Sequence, residues 1–180
     1  YIKATLNCLN ALGAQCDIDG STVKIGGISP DKAVKCAELF CNESGSTLRF
    51  LIPLCLLFGR KITLKGTERL MSRSLAVYKE MCISQGIEFT EDKKSVTVCG
   101  KISAGKYSVR GDVSSQFISG LMFALPLLGS DSIIDITGAL ESGSYLGMTV
   151  KALADFGVRI SRTDEHTIFI KGNQSYKPRT

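Results

Sequence analysis

The chain has 180 residues, 44% apolar and 22% charged, which is the balance of an ordinary globule and excludes a disordered tail; that length fits one domain with a sizeable core. The net charge of +5 is dispersed, with no Lys/Arg block and no aromatic-rich basic stripe, so it suits small anionic ligands and argues against nucleic acid. Seven cysteines without a Cys-x-x-Cys pair, and a single histidine, argue against a disulfide framework or a metal site and point to free thiols in a reducing, cytoplasmic setting.

In chain order, a helix over Ile2–Leu12 is closed by Gly13 and followed by a hairpin of Gln15–Asp17 and Thr22–Ile25. Val34–Phe40 reads as a strand, Ser46–Phe58 as a helix apolar on all sides, and Lys61–Lys65 as a strand. Leu75, Tyr78, Met81, Cys82 and Gln85 fall on one side of a further helix, and Ile87–Thr90 with Ser95–Cys99 form a second hairpin. Tyr107–Arg110 alternates as a strand, Ser114 to about Leu128 is a second all-apolar helix, and Ser132–Thr137 is a strand. Tyr145, Met148, Ala152, Leu153 and Phe156 share one helical face, closed by Gly157. Val158–Ser161 and Thr167–Ile170 make the last hairpin, with His166 as an exposed residue of its polar tip. Both all-apolar helices carry a proline, Pro53 and Pro126, and both are shorter than the ~18 residues a membrane span needs, so they read as buried helices and not as membrane anchors.

The order β-α-β-α-β-β therefore occurs twice, after a partial copy. Gly13, Gly86 and Gly157 stand 73 and 71 residues apart, Gly27, Gly100 and Gly172 stand 73 and 72 apart, and Gly66 and Gly138 stand 72 apart. The units are about 1–28 (partial), 29–103 and 104–175, within a single domain over 1–180. The expected fold is mixed α/β (α+β), with the buried helices together at the centre and sheets and amphipathic helices outside. The repeat starts in mid-unit, so the expectation is an incomplete domain whose activity needs residues outside these 180.

Both buried helices open on hydroxyl-bearing residues: Ser44-Gly45-Ser46-Thr47, followed by Arg49, and Ser114-Ser115-Gln116. Free backbone N–H groups, the positive end of the helix dipole and Ser/Thr donors make such starts phosphate or carboxylate cradles, and Gly45 lets a ligand approach the backbone. Ordinary N-capping uses the same residues, so both readings stand. The loops after Gly66 and Gly138 are equivalent βα connections, carrying Arg69 and Arg73 in one and Ser142 and Tyr145 in the other. Arg73 at a helix start is unfavourable without an anion, which makes it a better ligand candidate than Arg69. Tyr145 suits a ligand contact or a core position equally.

Four motifs in this order, ESGSTLRFLIPL, ERLMSRSL, VSSQF and SGSYLGMTVKALADFGV, resemble the EPSP synthase family, with VSSQF the most discriminating, and the likeness covers essentially the whole chain. The resemblance implies an enolpyruvyl-transferase-like (α/β prism) lobe, here an incomplete N-terminal domain. It implies an enzyme that moves the enolpyruvyl group of phosphoenolpyruvate to the 5-hydroxyl of shikimate 3-phosphate without metal or cofactor, and that is a monomer when complete. It matches Ser114, Ser115, Gln116, Ser142 and Tyr145 to shikimate 3-phosphate, and Gly45, Ser46, Arg73 and Gln116 to phosphoenolpyruvate, with Arg49 behind them. It places no catalytic acid or base in these residues; those belong to the second lobe and to a preceding Lys-Ser…Arg segment, so the segment alone is expected to be inactive. Ser46 replaces the family's commoner threonine, Ser74 its proline, and Gly143 a frequent lysine. A relative acting on UDP-N-acetylglucosamine, or a non-catalytic repeat module binding phosphate or RNA ends, is the alternative.

Overall fold

The computed structural model describes residues 1–29, 37–139 and 143–180. Two compact units divide between Ile102 and Ser103. In the first, α1 (Ile2–Leu12) leads into the hairpin β1 (Gln15–Asp19) and β2 (Thr22–Gly26). Then come β3 (Ala37–Phe40), α2 (Gly45–Cys55), β4 (Ile62–Lys65), a short α3 (Glu68–Met71), α4 (Ala76–Ser84), β5 (Glu88–Glu91) and β6 (Ser95–Cys99). The second unit runs β7 (Lys106–Arg110), α5 (Ser115–Ala124), β8 (Ser132–Thr137), α6 (Gly143–Asp155), β9 (Ile160–Arg162) and β10 (Thr167–Ile170).

The two four-stranded sheets have the same plan. One is ordered β3-β4-β6-β5 and the other β7-β8-β10-β9. In each, the first two strands are parallel and joined through a buried helix, and the closing hairpin adds antiparallel. Register follows from the alternation of apolar residues, because a slip by one residue would turn the whole set to solvent. Leu39 pairs with Leu64 and Leu64 with Val96, and all three side chains are fully buried. Tyr107 pairs with Ile134 and Ile134 with Ile168 in the same way. The outward faces are polar: Lys65–Glu38 and Lys106–Asp135 are ion pairs at 2.7 Å, and Thr63 and Thr97 share a 2.9 Å hydrogen bond.

Three of the repeat-marking glycines have one physical cause. Gly13, Gly86 and Gly157 have φ of 109°, 67° and 82°, and each ends a helix. After each, the next N–H reaches five residues back: Ala14 to the Leu9 carbonyl, Ile87 to Cys82 and Val158 to Leu153, at 2.9, 2.8 and 2.9 Å. This is the Schellman ending, which needs a left-handed residue and so selects glycine.

Several elements differ from expectation. The strand expected at Val34–Phe40 is described only from Ala37, and Val34–Cys36 lie outside the described residues. The second buried helix stops at Ala124 and continues as a 3-10 turn over Leu125–Leu127, because Pro126 cannot donate the next α-helical bond. Along α6 the buried side chains are Leu146 and Leu153, whereas Tyr145, Met148, Ala152 and Phe156 are exposed. The two apolar sets lie side by side on that helix, and periodicity alone favoured the larger one. Short α3 had no signal beyond the Thr67 cap, which accepts the Leu70 N–H. Among the described residues no helix is long and apolar enough to cross a membrane.

Candidate functional site

In the first unit the loops after β3 and β4 are stitched together beyond the carboxyl ends of the parallel strands, where α/β sheets present ligand sites. Cys41 N donates to the Lys65 carbonyl at 2.8 Å and Thr67 N to the Asn42 carbonyl at 3.0 Å. Glycine is needed at 66 because a Cβ there would stand 2.9 Å from the Asn42 oxygen. The second unit repeats the stitch: Gly111 N donates to the Thr137 carbonyl at 2.8 Å.

Ser44, not Ser46, is the N-cap of α2; its hydroxyl accepts the Thr47 N–H at 3.2 Å and the Thr47 hydroxyl at 2.7 Å. Both lone pairs of the buried Ser44 oxygen are thereby filled, so its own proton goes to Ser46 Oγ, 3.3 Å away. Thr47 has spent its proton on Ser44, so it is the acceptor at its 2.7 Å contact with Thr5 Oγ1, a hydroxyl that also lies 3.4 Å from the Tyr1 carbonyl as a weaker, competing acceptor. The hydroxyls form a one-way chain, Thr5 to Thr47 to Ser44 to Ser46. It leaves half-buried Ser46 with a proton to donate outward, beside the buried Gly45 backbone that begins the helix.

Arg73 is exposed, two residues beyond α3, and lines a small pocket of about 90 Å³ with Glu43, Arg69, Leu70 and Tyr1. Arg49 is half-buried on α2, and burial first, then the neighbouring positive charge of Arg73, pulls its guanidinium below the usual arginine range. Gly45, Ser46, Arg49 and Arg73 thus all belong to this unit. Arg69, ranked below Arg73 from sequence, lines the same pocket.

In the second unit Ser114 is the N-cap of α5, accepting the Gln116 N–H at 3.3 Å. Its hydroxyl proton remains available for another acceptor. Ser115 is buried at the first helical position and Gln116 half-buried at the second. Just upstream, Arg110 Nε donates to Asp112 at 2.9 Å, and that bond holds the Asp112 carboxyl below the usual carboxylate range. The hydroxyls of Ser119 on α5 and Thr149 on α6 meet at 2.8 Å, and Thr149 also donates to the Tyr145 carbonyl at 3.1 Å. Ser115 and Tyr145 each stand four residues before these paired hydroxyls. Tyr145 is 63% exposed, so the core alternative for it fails. Ser142 lies outside the described residues.

A larger hollow of about 730 Å³ is lined by Ala139, Gly143, Arg162, Asp164, Glu165 and His166, none of which is a predicted ligand residue. His166 is an exposed residue of the hairpin tip, where its N–H donates to Asp164 at 2.7 Å. Two carboxylates against one arginine make this hollow a poor place for an anion.

Two serine-capped helix starts on a repeated β-α-β-α-β-β plan can be set against known proteins. Residues 2–180 match the family described as EPSP synthase (3-phosphoshikimate 1-carboxyvinyltransferase). The chain belongs to the EPSP synthase family. It is 45% identical over 178 residues to the 3-phosphoshikimate 1-carboxyvinyltransferase of Clostridium kluyveri, covering 98% of this chain and 42% of that protein. It is 42% identical over 182 residues to the protein of the same name from Clostridium botulinum strain Alaska E43, again covering 98% and 42%. The chain therefore spans about 42% of the length of these curated relatives. The solved EPSP synthase of Acinetobacter baumannii superposes on 97% of this chain and 40% of its own, with a TM-score of 0.77 at 17% identity, which shows the EPSP synthase fold.

Proposed function

We propose that this chain carries part of the active site of a 3-phosphoshikimate 1-carboxyvinyltransferase in the cytoplasm. The observation that carries the proposal is the family match over residues 2–180, joined to 45% identity with a curated protein of that name. In the proposed reaction C3 of phosphoenolpyruvate gains a proton and the shikimate 5-hydroxyl, losing its own, bonds to C2. The C2–O bond to phosphate then breaks and C3 returns a proton, giving 5-enolpyruvylshikimate 3-phosphate and inorganic phosphate.

The part of the site proposed for this chain is anion binding. The Ser114 hydroxyl, with Ser115 and Gln116 at the α5 start, is proposed to hold the shikimate phosphate, and Tyr145 and Ser142 to add contacts to the same substrate. Gly45, the outward proton of Ser46, and Arg73 are proposed to hold phosphoenolpyruvate, with Arg49 behind them raising the local positive potential. A capped serine that still owns a proton, a helix start and a forked guanidinium all suit phosphate and carboxylate oxygens. Phosphate release by the whole protein, measured with each acceptor, tests this. The expected result is turnover that needs both phosphoenolpyruvate and shikimate 3-phosphate. Turnover with UDP-N-acetylglucosamine and none with shikimate 3-phosphate would overturn it.

A further inference from the structure

We propose that Cys8 and Cys41 form a reversible oxidation site, at which a peroxide joins the two thiols in a disulfide that ties α1 to the corner between β3 and α2. The site uses none of the residues assigned to substrate and does not depend on the assigned reaction. Cys8 lies on the buried face of α1, and Cys41 follows β3 directly. Both residues are 0% exposed. The Cys8 thiol donates to the Phe40 carbonyl at 3.3 Å, which sets its sulfur one peptide group from Cys41. The two thiols also hydrogen-bond to each other. One turn earlier on the same side of α1, Thr5 meets Thr47 of α2 at 2.7 Å, so the helix is held against this corner at two levels. Cys41 is fixed from the other side, where its N–H donates to the Lys65 carbonyl at 2.8 Å. Disulfides form between cysteines whose backbones are already within reach, and this pair meets that condition with its sulfurs in contact. Cys55, at the end of α2, is a third buried thiol nearby, but its influence on the other two is electrostatic alone.

The two cysteines have unequal roles. The hydrogen bond from Cys41 favours the thiolate on Cys8, against the opposing effect of burial, and Cys41 keeps its proton. Cys8 is therefore the attacking sulfur. Its thiolate bonds to one peroxide oxygen and the O–O bond breaks. The departing hydroxide takes up the proton that Cys8 released, giving water and a Cys8 sulfenic acid. The Cys41 sulfur then bonds to the Cys8 sulfur, the S–O bond breaks, and the oxygen leaves as water with the Cys41 proton. The two sulfurs together lose two electrons, and peroxide is reduced to two waters. A dithiol reverses the bridge by thiol–disulfide exchange. Small openings of α1, whose first residues Ile2 and Lys3 are exposed, admit the peroxide. The return of the helix closes the sulfenic sulfur against Cys41 and away from a second peroxide, which favours the disulfide over the sulfinic acid.

The test treats the whole protein, folded and fully reduced, with hydrogen peroxide, blocks the remaining thiols in denaturant and maps the peptides by mass spectrometry. The expected product is a linked pair of Cys8 and Cys41 peptides, two hydrogens lighter than the free peptides and separated again by dithiothreitol. Closing the segment from 8 to 41 into a loop restricts the unfolded chain, so the oxidised protein should unfold at a higher urea concentration than the reduced one. Cys55→Ala should form the same link. Cys41→Ala leaves Cys8 without its partner, and a dione reagent that traps sulfenic acids should mark Cys8 there and not in the parent. Cys8 and Cys41 recovered as free thiols, with Cys16 or Cys99 oxidised instead, overturn the assignment. So does a parent protein in which Cys8 ends as the sulfinic acid, or one that forms the link only after unfolding in urea. Loss of the link in a folded Cys55→Ala would move the role to Cys55 and overturn the pair. The peptide map of the parent decides by itself if Cys41→Ala does not fold.

Discussion

Four hydroxyl groups decide what Ser46 can do. Thr47 is the pivot, because its proton fills the second lone pair of Ser44 and obliges Ser44 to donate onward to Ser46. Thr47→Val removes that proton while keeping the shape of the side chain. Ser44 then has a vacant lone pair, Ser46 turns its proton inward to fill it, and the outward donor is lost. A neutral hydrogen bond is worth ~1 kcal/mol, so the KM for phosphoenolpyruvate should rise about fivefold in Thr47→Val, with little change for shikimate 3-phosphate. Thr47→Ser keeps the proton and should behave as the parent. Equal constants for the parent and the valine variant would show that the chain does not direct Ser46. The direction of these bonds was not legible from sequence, where the family resemblance singled out Ser46 but helix-start chemistry alone did not separate it from Ser44 and Thr47.

At the scale of elements, each buried helix carries a proline, and near each one a tyrosine hydroxyl donates to a helix carbonyl. Pro53 has no N–H, so the Arg49 carbonyl four residues earlier loses its helical donor. The Tyr78 hydroxyl of α4 donates to that carbonyl at 2.8 Å. In the second unit the Phe123 carbonyl, at the point where α5 gives way to the 3-10 turn, receives the Tyr176 hydroxyl at 2.8 Å. The two tyrosines do not occupy equivalent repeat positions, and only Tyr78 meets the carbonyl four residues before the proline. Burial pushes the Tyr78 phenol well above its ordinary range, which keeps it a neutral donor. Tyr78→Phe keeps the ring and leaves the carbonyl without that donor, at a cost of about 1–3 kcal/mol. Urea unfolding should show a lower midpoint with an unchanged slope, and a loss under ~0.5 kcal/mol would mean another donor takes over. Element order was legible because its signals are local: alternation for strands, an apolar run for each buried helix, glycine for each Schellman end. The inward face of α6 was not, since Tyr145, Met148 and Phe156 form as good a stripe as Leu146 and Leu153 until the packing is known. The same limit applies to the arginines. Dipole reasoning preferred Arg73, and the shared pocket that brings in Arg69 exists only once α3 has folded.

At the scale of the whole molecule, every cysteine lies in the unit Tyr1–Ile102 and none in Ser103–Thr180, so thiol chemistry reports on one unit alone. Cys8, Cys41, Cys55 and Cys82 are buried, while Cys16 is half-buried on the edge of a largely exposed hairpin. Cys8 donates to the Phe40 carbonyl at 3.3 Å. A thiol–thiol hydrogen bond between Cys8 and Cys41 favours the thiolate on Cys8 and raises Cys41. Burial pushes Cys55 up, and pushes Cys82 up to about 12. For a thiol held neutral in this way the folded state binds the proton more tightly than the unfolded chain. The resulting stabilisation is complete below the unfolded thiol pKa of ~8.5 and falls as pH rises from there towards the folded value. At pH 8 an alkylating reagent followed by peptide mass spectrometry should mark the half-buried Cys16 and Cys99 before the buried four. Cys8, Cys41, Cys55 and Cys82 should react only as fast as the unit opens. Between about pH 9 and 11 the protected four should speed up more than the thiolate fraction of a free cysteine, because the unit itself is losing stability. In denaturant without reductant the six cysteines of the described residues should take the label, as free thiols must. Protected cysteines that label at the rate of Cys16 at pH 8 would contradict the packing of α1, α2 and α4 described for this unit.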